Sequence, residues 1–202
     1  MGAAPSLIVG SDEYEGKGYL FQGGEDILDD PAFFNRHNIS HVVGICHRSV
    51  GTHVFDETKL TPDTVIHINE LDSTTTNLYP YLERTTRFIH SARMGGGNVY
   101  VHCSAGISRS STVTLSYMMT VYDLPFLELL GHLRRMRSCV HPNTSFQEQL
   151  RQWQTDPKRL TLREEILKQN EQEWERIYRL DKETFLSGKS QPVEEEETEE
   201  WD

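Results

Sequence analysis

Cysteine is scarce in this chain: three in 202 residues, Cys46, Cys103 and Cys139, with no C-x-x-C pair among them. An odd, widely spaced set argues against a disulfide framework and against a structural zinc site, and makes a reducing cytoplasm the expected compartment. No run reaches the ~20 apolar residues that a membrane span requires. No cationic segment leads into an apolar stretch, so a secretory signal is not expected. Positive charge is thin: 20 lysines and arginines face 31 aspartates and glutamates, for a net charge of −11. Removing the seven acids of "EEEETEEWD" (194–202) brings −11 to −4. The remainder has no broad basic field, which argues against nucleic acid held by phosphate attraction. Any anion site must be local. Nine histidines are scattered rather than clustered, and no metal set is expected from them. There is no internal repeat.

What is present reads as strands alternating with helices, followed by helices alone. Residues 1–17 mix small and polar types and are expected to be irregular. Strands are expected at 19–24, 40–46, 64–71 and 98–103, from β-branched apolar runs and alternation. A short helix is expected over 29–38, with Asp30 as its cap and Pro31 at its first position. Another is expected over 78–94, capped by Asn77 and stopped by Gly95, Gly96 and Gly97. Further helices follow at 110–122, at 125–137 and from Asn143, where Phe146, Leu150 and Trp153 recur at helical spacing. After Asp156 and Pro157 one polar helix is expected over roughly 159–183, with a stripe of Leu160, Ile166, Leu167, Trp174, Ile177 and Tyr178. The acidic end, 189–202, is expected to be disordered. The pattern is that of an α/β fold with a central, mostly parallel twisted sheet flanked by helices. The expected divisions are 1–17, a core domain 18–155, a helical extension 156–188 and the tail.

One stretch carries chemistry: "NVYVHCSAGISRSST" (98–112). A buried strand ends at Cys103, a short loop follows, and a helix begins near Arg109. Gly106 and the small residues let the loop fold tightly. The backbone N–H groups of Ser104, Ala105, Gly106, Ile107 and Ser108, with the helix N-terminus, then form an anion nest. Cysteines in such positions react as thiolates. The planar fork of Arg109 suits bidentate capture of phosphate oxygens. Ser110 is placed to hydrogen-bond the sulfur and help it leave, and His102 to order the loop rather than to move protons. Thiolate attack on a phosphate ester needs an acid for the leaving oxygen. Asp72 in "NELDSTTTNL" follows an expected strand in a polar loop and is the candidate, with Glu70 as a nearby competitor.

"HCSAGISRS" matches the H-C-x-x-G-x-x-R-[ST] signature, and the chain resembles the cysteine-dependent phosphatases, in detail the small atypical dual-specificity phosphatases. The similarity runs from "GYLFQGGEDIL" (18–28) through "LDSTTTNL" (71–78) to "RSCVHPNTSFQEQL" (137–150), about residues 18–155. His141 and Ser145 depart from the family's usual asparagine and glycine, outside the catalytic set. The resemblance implies the cysteine-phosphatase fold, with Cys103 as nucleophile, Arg109 as phosphate ligand and Asp72 as general acid. It implies hydrolysis of phosphotyrosine and phosphoserine or phosphothreonine in phosphoprotein substrates, with no metal or organic cofactor. Two alternatives stand beside it. One is a non-catalytic phosphosite-binding scaffold, although relatives of that kind commonly lose the cysteine. The other is a phosphoinositide phosphatase, although such enzymes usually bring lysines into a loop that is uncharged here.

Three features lie outside the motif. "MGAAPS" fits a myristoylation start at Gly2, which alone would give weak membrane association. Cys46 ends a strand expected to run parallel to the one carrying Cys103. A related phosphoinositide phosphatase carries a partner cysteine in a similar place, so Cys46 is a candidate redox partner, against a plain buried thiol. The run "HLRRMR" (132–137) offers either an exposed helical face or, through Arg134 and Arg135, a second anion site.

Overall fold

The computed structural model describes residues 4–10 and 16–187, with side chains as far as Lys182. Five strands form one sheet in the order β1-β2-β5-β3-β4: β1 (Ser6–Val9), β2 (Leu20–Gly23), β3 (Ile39–Ile45), β4 (Val65–Ile68) and β5 (Asn98–His102). Among the described residues only β1 is antiparallel to its neighbour; the other pairings are parallel. All five residues of the central strand β5 are buried. Parallel strands covered on both faces read as such apolar runs.

Helices cover both faces. On one lie α1 (Pro31–Arg36) and α2 (Thr52–Glu57), whose Phe33, Phe34 and Val54 pack with Phe21, Val42 and Tyr100 of the sheet. On the other lie α3 (Tyr79–Met94), α4 (Arg109–Tyr122), α5 (Phe126–Met136), α6 (Thr144–Thr155), α7 (Pro157–Gln169) and α8 (Glu171–Ser187). Their apolar residues share one core with the sheet's second face. Helix α4 is buried at every position. Several of its hydroxyls are met within the helix, as when Thr120 donates to the Ser116 carbonyl at 2.8 Å, and Trp153 of α6 donates its indole N–H to Thr120 Oγ1 at 3.1 Å.

Several expectations change. Ser6–Val9 lies in a stretch expected to be irregular, yet it forms the edge strand. Four residues are too short a run to read alone; the partner β2 and the buried Ile8, whose carbonyl lies 3.2 Å from His132 Nε2 of α5, supply the reason. Helix α2 and a 3-10 turn at Pro62–Thr64 also carry no strong sequence signal. The strand expected over 64–71 stops at Ile68, leaving Glu70 and Asp72 in a loop. Asn77 lies one position before the cap residue Leu78. It still accepts the Tyr79 N–H at 3.1 Å, and Gln149 Oε1 takes the N–H groups of Leu78 and Tyr79. The single helix expected over 159–183 is two, broken at Asn170. The break shifts the stripe: Leu160 faces solvent, and Leu162, Ile166, Trp174 and Ile177 are buried.

Candidate active site

The chain leaves β5 at His102, and Cys103 follows with 1% of its surface exposed. The loop then returns to start α4 at Arg109. Gly106 makes the turn with φ +68°, and a Cβ there would lie 2.4 Å from the Gly23 carbonyl carbon, so only glycine fits. The carbonyls of residues 104–107 are each held by a hydrogen bond from beyond the loop. Ser104 O accepts from the Glu25 N–H at 3.2 Å and Ala105 O from Arg137 Nη2 at 3.2 Å. Gly106 O accepts from Arg137 Nε at 2.9 Å and from Gln22 Nε2 at 3.2 Å. Ile107 O accepts from Ser111 Oγ at 2.6 Å and from the His141 N–H at 3.0 Å. In a trans peptide the N–H points opposite to its C=O. With the carbonyls of 104–107 pinned outward, the N–H groups of 105–108 turn to the concave side, where the start of α4 adds its positive end.

The side chains converge on that hollow. Cys103 Sγ lies 3.3 Å from Ser110 Oγ, which is fully buried. Arg109 spans the rim, donating from Nη2 to Ser104 Oγ at 3.1 Å and from Nη1 to the Glu70 carbonyl at 2.9 Å. Its Nε lies 3.8 Å from Asp72 Oδ2. Asp72 Oδ1 accepts from Ser108 Oγ at 2.9 Å and from Asn143 Nδ2 at 2.9 Å. Glu70 is drawn away instead: Tyr81 of α3 donates its hydroxyl to the Glu70 carboxylate at 3.0 Å. Beneath the loop, His102 stacks on Tyr100 with centroids 5.7 Å apart. Burial pushes its imidazole down to about 3, so it is neutral. The Tyr100 hydroxyl, which burial pushes up, donates to the Gly24 carbonyl at 2.6 Å.

Cys103, Ser104, Ala105, Gly106, Ile107, Ser108, Arg109, Ser110 and Asp72 are thus brought together. Cys46 lies just past the end of β3, beside β5, with Sγ 3.9 Å from His102 Nδ1. Gly44 and His102 are register partners, so the pleat puts Cys46 on the His102 face and starts Cys103 from the other. Burial, with a hydrogen bond to Glu25, pushes the Cys46 thiol up to about 11. Gly2 lies outside the described residues. Arg134 and Arg135 are exposed, and Arg134 Nε donates to the Val140 carbonyl at 3.1 Å. At the two departures, His141 meets the loop through its backbone, which any residue but proline supplies, and Ser145 Oγ accepts from Gln149 Nε2 at 3.2 Å. Among the described residues, no group of three or more His, Cys, Asp or Glu is placed to hold a metal ion.

Three supporting residues escaped the sequence reading. Arg137 shares the run "HLRRMR" with the exposed Arg134 and Arg135, but it is buried and pins two loop carbonyls. Gln22 had a signal, a lone amide in a buried apolar strand, which needs a partner there. Asn143 shows in the sequence only as a helix start.

The model of the dual specificity phosphatase catalytic domain matches residues 20–156. The chain belongs to the dual specificity phosphatase family. Within the family it is 37% identical over 120 residues to dual specificity protein phosphatase 22-A of Danio rerio, covering 59% of this chain and 54% of that protein. It is 35% identical over 134 residues to dual specificity protein phosphatase 15 of Rattus norvegicus, covering 66% and 54%. The chain thus spans about half the length of these relatives. The crystal structure of DUSP15 superposes with a TM-score of 0.64 at 29% identity, covering 74% of this chain and 90% of that one. The cysteine-phosphatase fold expected from the sequence is therefore the fold observed.

Proposed function

We propose that this chain hydrolyses phosphate monoesters in phosphoproteins, on tyrosine and on serine or threonine, through a cysteinyl-phosphate intermediate at Cys103. The observation that carries the reading is the loop around the Cys103 sulfur, whose carbonyls at 104–107 are all held outward while Arg109 spans its rim. Such a hollow suits three equatorial phosphate oxygens, whose charge it meets with fixed donors. Family membership supports it independently.

In the first step the Cys103 thiolate attacks phosphorus, the bond to the leaving oxygen breaks, and Asp72 gives that oxygen its proton. In the second, the Asp72 carboxylate takes a proton from water, the water oxygen attacks phosphorus, and the sulfur leaves as thiolate with a hydrogen bond from Ser110. Inorganic phosphate is released and Asp72 regains its proton. Acid–base help of this kind contributes roughly 10²–10⁴-fold. The uncharged side chains of Ser104, Ala105, Ile107 and Ser108 favour protein over phosphoinositide substrates. Hydrolysis of p-nitrophenyl phosphate by wild type and Cys103→Ser tests the reading. Turnover by wild type alone is expected; a wild type no faster than the mutant would sink it.

Two further expectations belong to the same proposal. Cys46 condenses with Cys103 once peroxide has oxidised it, and a myristoyl group on Gly2 gives weak membrane attachment from a cytoplasmic pool. Intact mass after co-expression with the myristoyltransferase checks the second.

A further inference from the structure

Leu71 stands between two residues that close the rim of the hollow, and the chain is held on both sides of it. On one side the Glu70 carbonyl accepts from Arg109 Nη1 at 2.9 Å, and the Glu70 carboxylate accepts from the Tyr81 hydroxyl. On the other, Asp72 Oδ1 accepts from Ser108 Oγ at 2.9 Å, and Asp72 Oδ2 lies 3.8 Å from Arg109 Nε. Both neighbours therefore turn their side chains to other elements, while Leu71 itself is 70% exposed. A lone exposed leucine is ordinary, and Leu127 of α5 and Leu160 of α7 are exposed too. What sets Leu71 apart is its place. It is the one apolar residue in the run "NELDSTTTN" (69–77), and the residues before and after it both reach Arg109.

The reaction brings organic material to that point. Phosphate oxygens fill the nest and the Arg109 fork, and the leaving oxygen has to come within hydrogen-bond reach of Asp72. The carbon that this oxygen carries then lies beside the 71–72 segment. In phosphotyrosine that carbon belongs to an aromatic ring; in phosphoserine it is a single methylene before the backbone. An exposed leucine there has a large apolar surface to cover only in the first case.

We propose that Leu71 is a specificity-determining residue, packing on the ring of phosphotyrosine and favouring it over phosphoserine. This rests on the reading of Cys103 and Asp72 as the reacting groups. The contact is made alike in the bound substrate and in the transition state, so it acts through KM and not through kcat. The aim of the acid, by contrast, acts on kcat.

Leu71→Asn removes the apolar surface and keeps the size. Its melting temperature should match that of wild type, because an exposed side chain holds little of the fold. KM for a phosphotyrosine peptide should rise about tenfold with kcat unchanged, the scale of uncovering one leucine. The phosphoserine form of the same peptide should change less than about twofold in kcat/KM. Leu71→Met, which restores an adaptable apolar surface, should bring the phosphotyrosine KM back to the wild-type value. The phosphotyrosine peptide decides on its own. An unchanged KM in Leu71→Asn would overturn the proposal, and so would a loss carried by kcat, which would mean that the acid loop had moved. Equal losses on both peptides would overturn it as well. Wild type and Cys103→Ser, run alongside on p-nitrophenyl phosphate, separate the two ways to fail. A wild type no faster than Cys103→Ser removes the reading of the site and the role of Leu71 with it. An active wild type whose Leu71→Asn variant keeps its phosphotyrosine KM removes the role of Leu71 alone.

Discussion

Asp181 of α8 and Arg93 of α3 form an ion pair at 3.2 Å with both side chains fully buried. Arg93 also donates to the Gly18 carbonyl at 2.6 Å and to the hydroxyls of Tyr117 and Tyr122 on α4. Tyr122 in turn donates to Asp181. Helix α8 is thus wired to α4, whose first residue is Arg109, although α8 lies beyond the matched family domain. Removing one partner leaves an uncompensated charge in the core, which typically costs about 3–5 kcal/mol. Asp181→Ala should lose stability on that scale in urea denaturation. Arg93→Met combined with Asp181→Leu should recover most of it, because neither charge is then left buried alone. A loss below about 1 kcal/mol in Asp181→Ala would show that the pair does not hold α8 in place.

Gly106→Ala should damage the site more than the fold. The added methyl meets the Gly23 backbone at 2.4 Å in a left-handed conformation, so the loop must shift. A stability loss of about 1–3 kcal/mol is expected from such strain. Turnover of p-nitrophenyl phosphate should drop at least about 100-fold, the scale of losing an oriented donor. Calorimetric binding of tungstate should weaken with it. Unchanged turnover would mean that the loop tolerates another course.

Acid should unfold the protein early. Burial pushes the imidazoles of His90 and His132 down to about 4, and that of His102 to about 3. Between the ordinary value of 6.5 and these, the unfolded chain takes up protons that the folded chain refuses. Stability therefore falls as pH drops through that window and is insensitive to these groups above about pH 7. Thermal melts from pH 8 to pH 4 should show a steep decline below about pH 6, made shallower in His90→Gln. A flat profile would contradict the neutral, buried assignment.

Oxidation offers a fourth check. Peroxide would convert Cys103 to a sulfenic acid, and the Cys46 thiolate would then displace hydroxide to form a disulfide. With the Cys46 thiol pushed up to about 11 and lying on the His102 face, that step should be slow at neutral pH and quicken as pH rises. Peptide mapping that finds only over-oxidised Cys103 at every pH would reject the pairing.

Much of this site was legible because it is contiguous. Cys103 to Ser110 lie in one run, and strand, glycine and helix start each have a local signature. Asp72 was readable as a carboxylate in a polar loop after a strand. Arg137, Gln22 and Asn143 were not, because their work depends on distant partners. Arg137 differs from Arg134 in sequence only by position, yet one turns inward to loop carbonyls and the other outward. Short β1 and the break at Asn170 were missed for a similar reason: pairing and packing decide them, not local preference.

The central claim is that phosphate passes through the Cys103 sulfur. Rapid acid quench of Asp72→Asn during turnover of p-nitrophenyl phosphate, followed by peptide mass spectrometry, tests it directly. This variant still makes the intermediate with a good leaving group but lacks the base that clears it. The expected result is a peptide carrying Cys103 heavier by one phosphoryl group, absent in Cys103→Ser. Burst release of nitrophenol with no phosphoryl group on Cys103, or with one on another residue, would contradict it.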